Sequence, residues 1–363
     1  LLSSQILQGT IDGLKNITRR EMSVIEREGK IVSSTEEELL NTQVDGIGNF
    51  IASQAESQLI QGYQYFKVFD NGVAEYVVII KGEDEETYRI GKIAAFQIQS
   101  LLVAYKERFD RDNFIKNLLL DNLLLVDIYS RAKKLRIENN VRRIVYLIET
   151  DIDKELSVVE IVRNIFPAKM KDFVTAVDER SIILVKELRE KDDTEEIEKT
   201  ASIICDTLSI ELMNNVRVAI GTIVSDLKNV SGSYKEAKMA LEVGKIFDAD
   251  KNIVNYDKLG IGRLIYQLPV SLCRMFIAEV LDGLSLDQFD DETLATVNKF
   301  FEKDLNVSET SRQLYIHRNT LVYRLDKLQK MTGLDLRDFD DAIIFKITMM
   351  VSKYMNYKDK FMY

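Results

Sequence analysis

The side chains best suited to chemistry stand in one run near the C-terminus, His317-Arg318-Asn319-Thr320 followed by Tyr323-Arg324 and Lys327. Arginine presents a planar fork to guanine or to phosphate, and asparagine pairs bidentately with adenine, so Arg318 and Asn319 can read base edges. Thr320 can cap a helix and donate to phosphate. Tyr323, Arg324 and Lys327 suit the phosphate backbone, as does Arg312 upstream, and His317 can touch phosphate at the turn. Bland readings stand beside these. Arg324 and Lys327 would solvate a helix face, Asn319 would cap, and Tyr323 would pack beneath its neighbour. Leu321, Leu325 and Leu328 recur at i, i+4 and i+7, which gives the segment an apolar back and a basic front.

The elements around this run must hold it in place. NVSETSRQLYI supplies a preceding helix with Ser308 as its expected N-cap. Leu294, Val297, Phe300, Phe301 and Leu305 form the stripe of another. Two short helices, the second basic in front, meet the expectation for a helix-turn-helix over about 306–331, in which the second helix enters the major groove by its N-terminal residues. Residues 306–334 carry five bases against Glu309 and Asp326, a local +3 in a chain of net charge −10. The overall charge excludes a coat of basic surface for nonspecific nucleic-acid binding, yet permits one basic module.

The chain has 363 residues, 46% hydrophobic and 30% charged, enough for several domains with cores. No stretch approaches the roughly 18–20 apolar residues of a membrane span. The opening residues show no signal-peptide pattern, and Cys205 and Cys273 suit reduced thiols, so a cytoplasmic protein is expected. A single histidine excludes a histidine-rich metal site, and no metal or cofactor is expected. Residues 1–20 read as a helix striped by Ile6, Leu7, Ile11, Leu14 and Ile17. Two strands turn at Glu28-Gly29, a helix follows over 48–60, and strands resume with turns at Asn71-Gly72 and Gly82–Glu86. Residues 93–137 are nearly all helix formers, and LLLDNLLLVDIYSRAKKL within them is too apolar over several turns for one solvated face, which predicts packing against another domain or a second subunit. Strands and helices alternate over 141–256, with a turn at Asp178-Glu179. No strand is expected after Gly260.

The segment IHRNTLVYRLDKLQKMTGLDLRDFDDAIIFKITM resembles the terminal helix-turn-helix of the PucR/CdaR family of bacterial transcription regulators, through His317-Arg318-Asn319-Thr320, Tyr323-Arg324-Leu325 and Thr332-Gly333. The resemblance implies binding to promoter DNA. NVRVAIGTIVSDLKNVSGSYKEAKMALEVGKIF resembles the end of that family's middle domain, a degenerate relative of the diguanylate cyclase fold, through Ser233-Tyr234, Glu236-Ala237 and Ala240-Leu241. The loop matching the cyclase signature, Val177 to Ile183, has no Gly-Gly pair to admit a nucleotide, so no cyclase activity and no catalytic residue are expected. The first domain resembles a PAS-like sugar-diacid recognition domain through Leu2-Ser3 and VIEREGKIVSS. It departs where diacid sensors carry Arg-Ile-Gly and a later histidine, since Leu39, Leu40, Asn41 and Val44 stand there.

The expected fold class is therefore multidomain α+β. It comprises a PAS-like sensor over 1–105, a helical linker and dimerisation region over 106–137, a degenerate GGDEF-like α+β domain over 138–258, and an all-helical DNA-binding domain over 259–363. The expected function is a DNA-binding transcription regulator acting as a homo-oligomer, a dimer foremost, and responsive to a carbohydrate-derived or other metabolite. Ser33, Ser34 and Arg89 are the candidate effector contacts. The rival readings are an inactive signalling or scaffold protein whose basic helix docks on an acidic protein, and a nucleotide-processing enzyme acting through the middle domain.

Overall fold

Buried residues run consecutively through Met22–Glu26 (β1) and Val73–Lys81 (β5), and because successive side chains point to opposite faces, one sheet buries both of its faces. These strands belong to the first of two units, 1–114 and 115–363, in a computed structural model describing residues 2–70, 72–150, 155–166, 171–178, 180–284 and 286–361. Ile31–Ser34 (β2), Ser57–Ile60 (β3) and Tyr63–Asp70 (β4) complete an antiparallel sheet of order β2-β1-β5-β4-β3. On one face Met22, Val24, Phe66, Tyr76 and Val78 pack against helices Ser4–Thr18 (α1) and Glu85–Leu119 (α3). The approach of α3 is tight: a Cβ on Gly91 would lie 1.9 Å from the Phe66 ring. The other face packs Ile25, Ile31, Val77 and Ile79 against Ile47 and Phe50 of Ile47–Ala52 (α2).

Several local expectations change in this unit. The α1 stripe narrows to Leu7, Ile11 and Leu14, because Ile6 and Ile17 face solvent, the latter 81% exposed. Residues 48–60 are not one helix. The helix stops at Ala52, and Ser57–Ile60 pairs with β4, a sheet edge overriding local helix preference. The Gly82–Glu86 segment leads from strand into helix rather than between strands. Asp84 accepts from the Thr87 amide at 2.8 Å and so caps the first turn of α3. Gly29 turns β1 into β2 at φ +92° as expected. Asn71 of the other expected turn lies outside the described residues.

The second unit contains helix Leu125–Lys134 (α4) and then a sheet of order β10-β9-β6-β8-β7. Its strands are Arg143–Thr150 (β6), Phe173–Asp178 (β7), Ser181–Glu187 (β8), Val216–Ile220 (β9) and Ile253–Asn255 (β10). Among the described residues of this sheet, only β9 and β10 pair in parallel. Tyr146 and Ile148 of β6 bury against Val158 and Val162 of Glu155–Ile165 (α5) and Ala201, Ile204 and Leu208 of Thr194–Leu212 (α6). Val230–Phe247 (α7) lies along β6 and β9. Glu179 of the expected β7–β8 turn lies outside the described residues. In the segment 118–126, Leu118 and Leu119 are buried, whereas Leu124, Leu125 and Val126 are exposed.

No strand among the described residues follows β10. Gly262–Tyr266 (α8), Val270–Leu281 (α9), Asp291–Glu302 (α10), Val307–Gln313 (α11), Arg318–Thr332 (α12) and Phe339–Phe361 (α13) build the C-terminal part. Cys205 and Cys273 are both buried free thiols. No helix among the described residues is long and apolar enough to cross a membrane.

Candidate nucleic-acid interface

Asn306 opens α11, its Oδ1 accepting from the amides of Ser308 and Glu309 at 3.0 Å each, so Asn306 rather than Ser308 is the N-cap. The chain reaches this cap through Asp304 and Leu305, both at positive φ, which reverse its direction after α10. Thr310 and Ser311 on α11 are buried, and small side chains there let α12 approach closely. Tyr315 makes the turn at φ +54° and is 96% exposed. Ile316 tucks back onto the core.

His317 is the N-cap of α12. Its Nδ1 accepts from the Asn319 amide at 3.2 Å, which leaves Thr320 free of the capping role expected of it. The back of α12 is the predicted one: Leu321, Leu325 and Leu328 are buried with Val297, Phe300, Leu336 and Phe345. Gly333 ends the helix at φ +77°, its amide donating to the Gln329 carbonyl at 2.8 Å.

This frame leaves His317, Arg318, Asn319 and Thr320 consecutive and exposed at the start of the helix. The orphan amides of a helix N-terminus add a favourable field for an anion at the same place. The Arg318 guanidinium, the Asn319 side-chain carboxamide and the Thr320 hydroxyl have no protein partner, so their donors face water. Tyr323, 69% exposed, and Lys327 continue the outward stripe. Lys330, which belongs to that stripe three residues after Lys327, was not singled out as a contact, although the spacing carries its signal.

Not every predicted cation is free. Arg324 is drawn off the stripe toward α10: its guanidinium donates to Thr296 Oγ1 at 2.8 Å and pairs with Glu292, leaving the side chain 16% exposed. Its geometry braces α12 on α10. Lys327 reaches Asp290 at 3.1 Å while staying half exposed. Hydrogen bonds from Thr293 and Lys327 hold the Asp290 carboxyl far below the usual carboxylate range. Arg312 pairs with Glu309 at 2.7 Å on α11 and stays exposed. Asp326, the one acid of α12, is met by Arg337 at 2.9 Å, which removes much of its repulsion of an anion.

The candidate effector residues are not brought together. Ser33 donates to the Ser4 carbonyl at 3.2 Å, Ser34 shares a 2.8 Å hydrogen bond with Ser23, and both are buried. Their hydroxyls tie β2 to α1 and β1 instead of facing a cavity. Arg89 is exposed on α3 and pairs with Glu85 at 2.6 Å. Leu39 and Val44 join the apolar cluster around Phe50, as their side chains dictate.

In the middle of the second unit, Ser233, Ala237 and Ala240 are buried packing residues, and the half-buried Glu236 carboxylate accepts from the Thr222 amide and hydroxyl. Ser233 Oγ donates to the Thr222 carbonyl at 2.7 Å and accepts from the Val145 amide at 3.2 Å. Gly221 faces Ser233 so closely that a Cβ would lie 2.1 Å from its carbonyl oxygen. A cleft of about 720 Å³ beside the β7–β8 turn is lined by Glu149, Asp178, Arg180, Tyr234 and Glu242, among others. Lys245 engages two of these acids, Glu149 at 2.6 Å and Glu242 at 3.0 Å. Burial would lower the Lys245 ammonium, but these bonds raise it above its ordinary value. No group of three or more His, Cys, Asp or Glu among the described residues is arranged to hold a metal.

Residues 293–351 match the PucR C-terminal helix-turn-helix domain. The chain carries a PucR-type helix-turn-helix. Residues 122–243 match a GGDEF-like domain, so the two together give a PucR/CdaR-like architecture. The purine catabolism regulatory protein of Bacillus subtilis (strain 168) is 27% identical over 150 residues, 41% of this chain and 28% of that protein. The carbohydrate diacid regulator of Escherichia coli (strain K12) is 22% identical over 293 residues, 76% of each chain. The chain thus spans under a third of the first relative's length and three quarters of the second's. A regulator of polyketide synthase expression from Bifidobacterium adolescentis has 16% identity and a TM-score of 0.36, covering 67% of this chain and 92% of that one. The PucR-type match includes α11, α12 and the α10 stripe, so the exposed Arg318-Asn319-Thr320 run lies inside it.

Proposed function

We propose that the chain is a transcription regulator that binds promoter DNA through α12, with α11 and the turn positioning it. One observation carries the reading: Arg318, Asn319 and Thr320 stand unpaired and exposed at the N-terminus of a helix whose back is locked by Leu321, Leu325 and Leu328. Arg318 and Asn319 take the base-reading role, and Thr320, Tyr323, Lys327, Lys330 and Arg312 the backbone role. Lys327 exchanges Asp290 for phosphate on binding, an exchange an exposed pair permits at little cost. His317 sets the helix start. Similarity to a purine catabolism regulatory protein and a carbohydrate diacid regulator supports a metabolite as the signal.

The proposed organisation keeps a PAS-like sensor over 1–105, a linker over 106–137, a GGDEF-like domain over 138–258 and the helical DNA-binding domain over 259–363. The antiparallel sheet with helices on both faces supports the sensor reading. The apolar character around Phe50, Leu39 and Val44 favours an effector less anionic than a sugar diacid. The GGDEF-like domain acts as a non-catalytic module in this scheme, supported by the missing Gly-Gly pair and by Lys245 occupying Glu149 and Glu242. The chain works as a homodimer, which two-fold operators require of paired helix-turn-helix modules.

The test begins with genomic fragments recovered by the purified chain. Fluorescence anisotropy then compares a recovered duplex with a scrambled one. Arg318→Ala and Asn319→Ala should each weaken the recovered duplex by at least about tenfold and erode its advantage over the scrambled one. Equal affinity of the double variant and the parent, with unchanged helix content, would remove α12 as the reading element.

A further inference from the structure

The 35-residue α3 buries one side against the first sheet through Ala94, Ala95, Ile98 and Leu102. Its opposite side does the reverse of what solvent asks. Ile93, Phe96 and Val103 are 60%, 72% and 56% exposed, and Ser100 lies on the same line. The spacing 89, 93, 96, 100, 103, 107, 110 alternates four and three residues, the seam of a two-helix coiled coil. At 1.5 Å per residue it runs about 32 Å, long enough for several layers of side chains. On the seam line itself the two ends differ in sign, with Arg89 at the N-terminal end and Glu107 and Asp110 at the C-terminal end, while Glu85 and Glu86 and, at the other end, Lys106, Arg108 and Arg111 lie beside it. Glu107 and Asp110 have no protein partner.

We propose that this seam pairs with α3 of a second copy of the chain, and that the two helices run antiparallel. The orientation follows from the charges. A parallel pair stacks each seam residue on its own counterpart, which sets Glu107 on Glu107, Asp110 on Asp110 and Arg89 on Arg89. It also sets Phe96 on Phe96 with Ser100 on Ser100, crowding one layer and emptying the next. An antiparallel pair centred near Ile98 brings Ile93 over Val103 of the second copy and Phe96 over Ser100, so large meets small in each layer. Arg89 then faces Glu107, with Asp110 one turn further on, at both ends of the seam. Glu86, which comes opposite Asp110, has Arg20 at 3.6 Å, a cation it shares with Asp84 at 3.2 Å. The present Arg89–Glu85 pair is exposed and exchanges without penalty beyond a surface bridge. The proposal deepens the homodimer reading by naming its element and its polarity, and it is independent of what α12 binds.

Cysteine cross-linking on the full chain reads the polarity directly, because the native Cys205 and Cys273 are buried. Mixed Ile93→Cys and Val103→Cys chains should oxidise to a 93–103 heterodimer, while Val103→Cys alone should stay uncross-linked. A 103–103 homodimer without the mixed product overturns the antiparallel arrangement. Light scattering across a dilution series supplies the second arm. Arg89→Glu and Glu107→Arg should each weaken dimerisation by about tenfold, and the double exchange should restore it, since opposite charges again meet across the seam. A parent that is monomeric at every concentration, or a double exchange no better than the singles, overturns the proposal. Circular dichroism on each variant confirms that helix content is kept. The DNA titration of the Arg318 and Asn319 variants reads the other proposal separately, so loss of one does not carry loss of the other.

Discussion

Ser33-Ser34 and Arg318-Asn319 are two pairs of adjacent polar residues, each singled out as a contact for something outside the chain, and the fold treats them oppositely. The serines sit on the edge strand β2, paired with β1 and packed by α1, where β1 and the α1 residues Ser4 and Gln8 consume their hydrogen-bonding groups. The arginine and asparagine sit where a helix begins, and a helix N-terminus offers its first side chains no partner above them. A polar residue within a sheet is commonly recruited by the fold. One at a helix start whose cap is supplied by its predecessor, as His317 does here, is left for a ligand.

The contrast can be broken or sharpened by substitution. The largest effect should come from Leu325→Ala, which removes the back of α12 from a fully packed cluster. A loss of about 3 kcal/mol is expected in urea unfolding, and DNA affinity should fall with it because the helix loses its seat. Arg324→Ala should cost about 2 kcal/mol of stability, by releasing Thr296 and Glu292. Its effect on the recovered duplex should be smaller than that of Arg318→Ala. The reverse ranking would show that Arg324 swings from α10 to DNA. Ser34→Ala should cost about 1 kcal/mol through its bond to Ser23, visible as a lower melting temperature, with no change in the response to any effector. An altered effector response at full stability would return Ser34 to the binding role. The smallest effect is expected of Lys330→Gln, which should reduce the slope of log affinity against log salt by about 1 without altering sequence preference.

Much of the site was legible because its evidence is periodic. Leu321, Leu325 and Leu328 point one way on any α-helix, and that alone fixed which side of α12 would be basic and free. The back of α10 was legible for the same reason, through Val297 and Phe300. The start of each helix was less so. Ser308 and Asn306 are both good caps by residue type, and only the backbone reversal at Asp304 and Leu305 decided for Asn306. Residues 48–60 misled because short polar stretches carry weak preferences, and the free edge of β4 chose a strand for Ser57–Ile60. In the GGDEF-like domain the resemblance located Ser233 and Glu236, while their tasks, Ser233 packed against Gly221 and Glu236 accepting from Thr222, needed the third dimension.

By itself, the sequence determined the helix carrying the basic front, the apolar stripe behind it and the absence of a Gly-Gly pair between Val177 and Ile183. These follow from residue type and repeat distance along one segment. The tertiary structure alone decided that Arg324 turns to Glu292 and Thr296, that Ser33 and Ser34 are enclosed, and that Ile93, Phe96 and Val103 of α3 are left uncovered. Each of those depends on which distant element comes alongside, and for Arg324 the decisive neighbour is 32 residues away in the chain.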